Sequence, residues 1–160
     1  GNQAPEARHL ECGKYCERQM PAGKRFEALR SDSAAYQARV INYCEAHGIK
    51  FAIGADLDPA VVRAIKAISG SEWRAYQNGH IAETVHCMNR SQQAFRLVVI
   101  RRPVQGDLFG SEPAAEKYTA IATNRTESLE AVIHWYNQRG ECSENRIKEL
   151  KIGFGLERMP

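Results

Sequence analysis

The residues with the clearest chemical potential lie between Trp135 and Lys151, where a phenol, several cations and carboxylates occur at helical spacings. Tyr136 and Arg139 are three residues apart, and Glu144 is followed by Lys148 and Lys151 four and seven residues later. Residues at these spacings share a face of an α-helix. A carboxylate beside cations can hold a divalent metal ion while the cations hold phosphate oxygens. The same spacing is also typical of a solvated helix with Glu–Lys pairs, so both interpretations stay open.

A second candidate acid, Asp32, lies in the triplet Ser31-Asp32-Ser33, between a predicted strand and a predicted helix. Proteins of the α/β class commonly place catalytic groups at such a junction. Aspartate is also a favoured helix N-cap, because its carboxylate accepts backbone N–H bonds. Asp32 taken alone therefore does not distinguish a metal ligand from a cap.

Length and composition favour one soluble domain that permits, but does not require, a nucleic-acid partner. The chain has 160 residues, of which 43% are hydrophobic and 26% charged, and this suits a single core. The net charge of +3 is only mildly basic. We find no signal-type apolar run and no apolar segment of membrane length, so we expect a soluble protein, or a piece of one, without a membrane partner.

The five cysteines indicate reduced thiols in a cytosolic setting, because their number is odd and they follow no secreted-domain framework. Cys12 and Cys16 are one helical turn apart and could bind zinc with His86 and Cys87 as distant partners. Recognisable zinc sites usually supply two close pairs of ligands. We therefore prefer buried or half-buried thiols.

Apolar periodicity and turn residues predict alternating strands and helices, which indicates an α/β layer architecture. Asp58 and Pro59 suit the first positions of a helix, Gly48 suits a helix C-terminus, and Thr126 is a predicted N-cap. The predicted helices cover residues 5–19, 34–47 and 59–68 and the segment carrying Trp135. The predicted strands cover residues 25–30, 49–53 and 118–122, with a β-hairpin from 81–88 and 95–100 and a loop over 103–113.

Five segments of the chain resemble, in the same order, bacterial insertion-sequence transposases of the DDE type. These segments are residues 29–36, residues 50–54, the predicted β insertion, residues 118–124 and residues 135–151. The resemblance implies a truncated RNase H-like (retroviral-integrase-like) catalytic core, an α/β fold with an inserted β subdomain. It also implies three acidic residues that bind two Mg²⁺ or Mn²⁺ ions. By position, Asp32 is similar to the second catalytic acid and metal ligand, and Glu144 to the third.

The family also carries a Tyr, Arg, Glu, Lys signature, which Tyr136, Arg139, Glu144 and Lys151 resemble. The resemblance implies that Tyr136, Arg139 and Lys151 bind the DNA backbone, with Lys148 and Arg146 as weaker candidates.

One spacing departs from the signature, because Arg139 and Glu144 are five residues apart where the family has four. One extra residue rotates a side chain by about 100° in a regular helix. A π-bulge, or a helix break at Gly140, would restore the alignment. Glu141 is the rival acid, but it lies only two residues from Arg139, so we prefer Glu144.

The resemblance predicts three parts: a partial core over residues 1–69, an inserted β-hairpin subdomain and loop over 70–116, and a return to the core over 117–160. We find no upstream strand that ends in the first catalytic Asp. We therefore expect a fragment truncated at both ends that is inactive alone. Alternatives are a non-catalytic DNA-binding remnant and an RNase H-like nuclease.

The resemblance implies DNA partners, namely transposon ends and target DNA, a homodimer or higher assembly on DNA, and a cytoplasmic, nucleoid-associated location in a bacterium. The arginines of the predicted insertion could contact phosphate, although a charged outer hairpin face explains them as well. Three aromatic side chains could stack on an extruded base, although we expect core or half-buried positions for them. These residues are Arg96, Arg101 and Arg102, and Trp73, Tyr76 and Trp135.

Overall fold

A computed structural model describes residues 8–104 and 116–139. Within those residues, six strands form one sheet in the order β1-β2-β6-β5-β4-β3. β1 and β2 are parallel, and every other neighbouring pair is antiparallel. The strands are β1 (Ala28–Ser31), β2 (Lys50–Ala55), β3 (Arg74–Tyr76), β4 (Gly79–His86), β5 (Phe95–Pro103) and β6 (Glu116–Thr123). The helices are α1 (Arg8–Arg18), α2 (Ala38–Ala46), α3 (Pro59–Lys66) and α4, which is helical from 129 to 139, where the described part ends.

Helices cover both faces of the sheet, as the α/β pattern predicts. On the first face, α2 and α3 pack through Val40, Ile41, Val61 and Ile65 against alternate strand residues such as Phe51. On the second face, α4 packs against the intervening strand residues. This second cluster consists of Ala52, Ile81, Val98, Ile100 and Ile121 from the strands and Leu129, Val132, Ile133 and Tyr136 from α4. Strand residues alternate between the two faces, so register decides which side chains lie on the α4 face.

Several predicted helix ends are confirmed by their hydrogen bonds. Asp58 caps α3 by accepting from the backbone nitrogens of Ala60 and Val61, and Pro59 occupies the first helical turn. Gly48 follows α2 with φ +65°, a left-handed conformation in which glycine is favoured.

Two other predictions about helix starts were wrong. The predicted helix over 34–47 is instead a 3₁₀ turn (Ser33–Ala35), a break at Tyr36 and Gln37, and then α2. The predicted cap Thr126 lies before α4, and the Ser128 hydroxyl accepts from Ala131 N at 3.2 Å instead.

The β insertion contributes to the main sheet. The hairpin of β4 and β5 is confirmed, and β5 pairs with β6 along eight residue pairs from Arg96–Thr123 to Pro103–Glu116. The three-residue strand β3 was not predicted. It turns into β4 at Gln77 and Asn78, and Gln77 has φ 51°. The division into 1–69, 70–116 and 117–160 stays a prediction.

No helix in the described ranges 8–104 and 116–139 is long and apolar enough to cross a membrane.

Candidate functional site

Asp32 is an exposed carboxylate directly after β1. Its Oδ1 accepts from Ala34 N at 3.2 Å, which caps the 3₁₀ turn, and lies 3.5 Å from the Ser31 hydroxyl. Its other oxygen, Oδ2, has no hydrogen-bond partner among the described residues. One oxygen of Asp32 therefore serves the local fold while the other remains available to a ligand.

Tyr136 and Arg139 lie on α4 and reach the same end of β1. Tyr136 is only 7% exposed, and its hydroxyl accepts from the Arg139 guanidinium. Arg139 Nη1 also donates to the carbonyl of Ser31 at 3.2 Å, and its guanidinium carbon lies 4.4 Å from the centre of the Tyr136 ring. The helix therefore brings a phenol and a cation beside the residue that precedes Asp32.

Gly54 on β2 makes this approach possible. A methyl group built on Gly54 would lie 2.6 Å from the Tyr136 hydroxyl oxygen and 3.3 Å from the Ser33 nitrogen. Any side chain would therefore displace either the phenol or the backbone after Asp32. In the sequence, Gly54 only ended the segment 50–54 of the family resemblance, and its role follows from a contact between distant parts of the chain.

Arg30 is a further residue of this region that the sequence did not single out. It lies on the α4 face, because its register partner is Ala52 of the α4-facing cluster. Its Nη1 donates to the Trp135 carbonyl at 2.6 Å and lies 3.4 Å from Gln138 Oε1. A possible signal was its position two residues before Asp32, which puts both on one side of an extended chain.

A second exposed acid, Asp56, follows β2 as Asp32 follows β1. Burial, and after it the charges of Asp58 and Asp56, raise the pKa of the Tyr36 phenol above its ordinary value. The Tyr36 hydroxyl is buried and has no partner in the described structure. The Tyr36 phenol therefore remains neutral. Because Asp56 follows β2 as Asp32 follows β1, Asp56 is a suitable control residue for substitutions of Asp32.

The remaining predicted site residues lie outside the described residues. These are Glu144, Arg146, Lys148 and Lys151, together with the rival acid Glu141 and the predicted distortion at Gly140. Their assignments stay predictions.

Asp32 suits a hard divalent ion, since a carboxylate oxygen is the ligand type that Mg²⁺ and Mn²⁺ prefer. The available Oδ2 atom meets that requirement. No group of three or more His, Cys, Asp or Glu side chains that could hold a metal occurs in the parts of the chain with described positions. Glu144, the further ligand that the sequence predicts, lies outside the described residues.

The family comparison covers the whole of this region. A family model described as "Transposase DDE domain group 1" matches residues 17–160. The chain belongs to the DDE transposase domain family. A search of curated proteins gave no match.

Membership in the family confirms the resemblance to DDE transposases, whereas the bacterial insertion-sequence origin and the signature class stay predictions. It supports a transposase function with DNA as the partner, in a family that generally uses divalent metal ions. The mixed sheet covered by helices is compatible with an RNase H-like fold.

The arginines of the insertion in this transposase domain have different surroundings. Arg96 forms an ion pair with Glu83. Arg101 Nη1 lies 3.6 Å from Glu116 Oε1, and the Arg101 guanidinium carbon lies 4.4 Å from the centre of the Trp73 ring. Arg102 is exposed, and no ion pair among the described residues involves it. Ion pairing accounts for Arg96, and ion pairing with stacking accounts for Arg101 on the opposite face of β5, whereas Arg102 is left accessible.

The three aromatic residues are half-buried, as expected: Trp73, Tyr76 and Trp135. Of the cysteines, Cys44 is buried, whereas Cys16 and Cys87 are exposed free thiols. The Cys12 side chain lies outside the described part, so the zinc alternative involving it stays a prediction.

Proposed function

We propose that this chain is the catalytic-domain portion of a bacterial insertion-sequence transposase that cleaves and transfers DNA strands at transposon ends. The observation that carries the proposal is the meeting of Tyr136 and Arg139 with the backbone on either side of Asp32, at the end of β1. The bond from Arg139 to Ser31 joins residues 108 positions apart in the sequence. This meeting supports an RNase H-like core and the Tyr, Arg, Glu, Lys signature class.

Asp32 and Glu144 are the proposed ligands of Mg²⁺, or of Mn²⁺ in its place, in a two-metal site of the intact protein. When bound, such ions activate the attacking oxygen and stabilise the leaving oxygen of a phosphodiester. We propose that Arg139 binds a nonbridging phosphate oxygen next to the scissile bond. Tyr136 holds the Arg139 guanidinium in place through its hydroxyl and its ring.

Further DNA contacts are proposed at Arg102 and Lys117. These residues are register partners on β5 and β6, and both are exposed. Like charges directly opposite each other destabilise a sheet, so a polyanion on this surface would relieve their repulsion. Arg102 lies two residues after Ile100, which puts the pair on the α4 face. From sheet spacings, the Lys117 Cα lies roughly 16 Å from the Asp32 Cα, within the width of one DNA duplex.

Asp32→Asn in the full-length protein tests the proposed function. Asparagine caps a helix as well as aspartate does, so the fold should be kept while the anionic ligand is removed. We expect the affinity for DNA to stay within about threefold of the parent. The rate of strand cleavage should fall by at least about 10³-fold, because the substitution removes most of the metal's contribution to the reaction. Cleavage assays on end-bearing DNA, with binding measured in parallel, check this.

The matched control is Asp56→Asn, which removes an exposed carboxylate next to the neighbouring strand end. Its cleavage rate should stay near that of the parent. Parent-like cleavage by Asp32→Asn, or an equal loss in Asp56→Asn, would contradict the assignment of Asp32.

The double variant Arg102→Gln/Lys117→Gln tests the proposed DNA contacts. Losing two phosphate contacts should weaken binding on all sequences and lower the slope of log K against log salt by roughly 1.8. Arg63→Gln/Lys66→Gln is the control, because it removes two exposed cations from α3 on the opposite face. An equal change in slope for both double variants would show that net charge, and not this surface, determines binding.

We further propose that residues 1–160 alone do not carry out strand transfer, because the resemblance assigns only two of the three acids to them. Robust strand-transfer product from residues 1–160 with Mg²⁺ would contradict this proposed inactivity.

We also propose that the protein forms a homodimer or a higher assembly on DNA. Its proposed location is the cytoplasm, in association with the nucleoid.

A further inference from the structure

We infer that Arg30 is a positioning residue that fixes α4 against β1, so that Tyr136 and Arg139 are held beside Asp32. This inference rests on the proposed function, because it assigns Arg30 a role in the reaction at that site.

The apolar contacts of α4 hold it against the sheet. The helix packs through Leu129, Val132, Ile133 and Tyr136 on the aliphatic side chains of the sheet. Burial of apolar surface is nondirectional, whereas a hydrogen bond has a defined donor, acceptor and angle. Polar bonds between α4 and β1 therefore add a directional restraint to this packing.

Two arginines supply such bonds, and they run in opposite directions. Arg30 of β1 donates to the Trp135 carbonyl of α4 at 2.6 Å, and Arg139 of α4 donates to the Ser31 carbonyl of β1 at 3.2 Å. These bonds join neighbouring residues of the strand to positions one helical turn apart on the helix. Together they fix both the height and the rotation of α4 over β1.

Contacts around Arg30 restrict its own side chain. The guanidinium carbon lies 4.9 Å from the centre of the Trp135 ring, and Nη1 lies 3.4 Å from Gln138 Oε1. The other end of the Gln138 amide is 3.1 Å from His134 Nε2, which holds the amide in the orientation that presents its oxygen to Arg30. The planar guanidinium can donate to a carbonyl while stacking on an aromatic ring, whereas a lysine ammonium cannot do both.

The strand position of Arg30 connects this contact to the site. Arg30 and Asp32 are two residues apart at the end of one strand, so a movement of α4 relative to Arg30 is also a movement relative to Asp32. Arg30 itself binds neither DNA nor metal in this account. Its loss should therefore lower the rate of the chemical step more than the affinity for DNA.

The test uses Arg30→Gln and Arg30→Lys in the full-length protein, with Arg125→Gln as the matched control. Arg125 also stacks on Trp135, at 4.3 Å, but it comes from the segment after β6 and makes no bond to β1. Single-turnover cleavage and DNA affinity are measured separately. Hydrogen exchange of peptides from 129–139 and from β5 is followed without DNA or metal.

For Arg30→Gln we expect cleavage to fall roughly 10- to 100-fold, as for a misplacement of about 1 Å, with DNA affinity within about threefold. The rate of hydrogen exchange in residues 129–139 should rise, while the backbone amides of β5 stay protected from exchange. Arg30→Lys should restore only part of the rate, and Arg125→Gln should cleave close to the parent rate.

Unchanged exchange in 129–139, parent-like cleavage in Arg30→Gln, complete rescue by lysine, or an equal loss in Arg125→Gln would each overturn the inference. Failure of the proposed function is distinguishable, because it would appear as parent-like cleavage in Asp32→Asn whatever the exchange data show.

Discussion

At the scale of single residues, the candidate site depends on the absence of a side chain at Gly54. The space that a β-carbon would need is occupied by the Tyr136 hydroxyl and by the backbone that follows Asp32. A glycine in a strand often marks such a close approach. Gly54 thus connects three segments of the chain that are distant in sequence.

Gly54→Ala should destabilise the protein by about 1–3 kcal/mol, because the new methyl group forces Tyr136 or the backbone of Ser33 to move. Urea denaturation measures the change in the free energy of unfolding. Gly70→Ala is the control, since a β-carbon there meets no atom within 4 Å and should change stability by less than about 0.5 kcal/mol. Equal effects of the two substitutions would contradict the close approach at Gly54.

The thiol of Cys44 is predicted to be inert in the folded protein. It is 2% exposed, and burial, with a smaller effect from Glu45, raises its pKa to about 12 from 9.0. At pH 8, alkylation should modify Cys16 and Cys87 rapidly and leave Cys44 unmodified until the protein unfolds. Mass spectrometry of modified peptides checks this, and rapid labelling of native Cys44 would contradict the packing of α2.

The same shift predicts how Cys44 affects stability at high pH. The folded state keeps its proton above pH 9 while the unfolded state loses it, so the unfolded state binds fewer protons there. The contribution of Cys44 to stability is therefore fully present below about pH 9 and is lost progressively toward pH 12. Cys44→Ala should show a shallower decline over this range than the parent.

At the scale of elements, side-chain bonds extend the pairing of β2 beyond its strand partners. Asn124, just after β6, accepts from Phe51 N at 2.9 Å and donates to the Ile49 carbonyl at 3.0 Å. The Thr123 hydroxyl donates to the Phe51 carbonyl at 2.5 Å. These bonds tie the end of β6 to β2 and to the residue before it.

Asn124→Ala should cost about 2–3 kcal/mol of stability, because it leaves a partly buried backbone donor and an acceptor unpaired. Asn124→Asp keeps the acceptor for Phe51 but loses the donor to Ile49, so its loss should be of a different size. Thermal or urea unfolding checks both variants. A neutral effect of Asn124→Ala would mean that water replaces these bonds without cost.

How much of this could be predicted from the sequence differs between elements. Strands with continuous apolar runs, such as β2 and β5, and the cap of α3 were predictable because the signals are local. The cap of α4 at Ser128 was not, since Thr126 offers the same chemistry two residues earlier and packing of Leu129 decides between them. The strand β3 was missed because three residues carry little periodicity, although Asn78-Gly79 is a hairpin signal.

For the site, the sequence indicated Asp32, Tyr136 and Arg139, whereas Gly54 carried no signal and Arg30 only its position two residues before Asp32. The roles of the latter two consist of contacts with α4 that span 82 to 108 positions, and no local pattern encodes such contacts.

At the scale of the whole molecule, the sheet is shared by the core and the inserted strands. β6 lies between β2 and β5, so the insertion and the segment bearing Asp32 are connected by continuous pairing. We predict one cooperative urea transition, coincident when followed by far-ultraviolet circular dichroism and by tryptophan fluorescence. Two separated transitions would indicate that the insertion folds as an independent unit.

Asp32 and Glu144 are proposed to bind the same pair of metal ions. Iron-mediated backbone cleavage in the full-length protein tests this proposal, because Fe²⁺ bound in place of Mg²⁺ reacts with added peroxide to give hydroxyl radicals that cut the nearest peptide bonds. We expect cuts next to Asp32 and near Glu144, both suppressed by excess Mg²⁺ and both lost in Asp32→Asn. Cuts at other positions, or cuts that persist unchanged in Asp32→Asn, would contradict it.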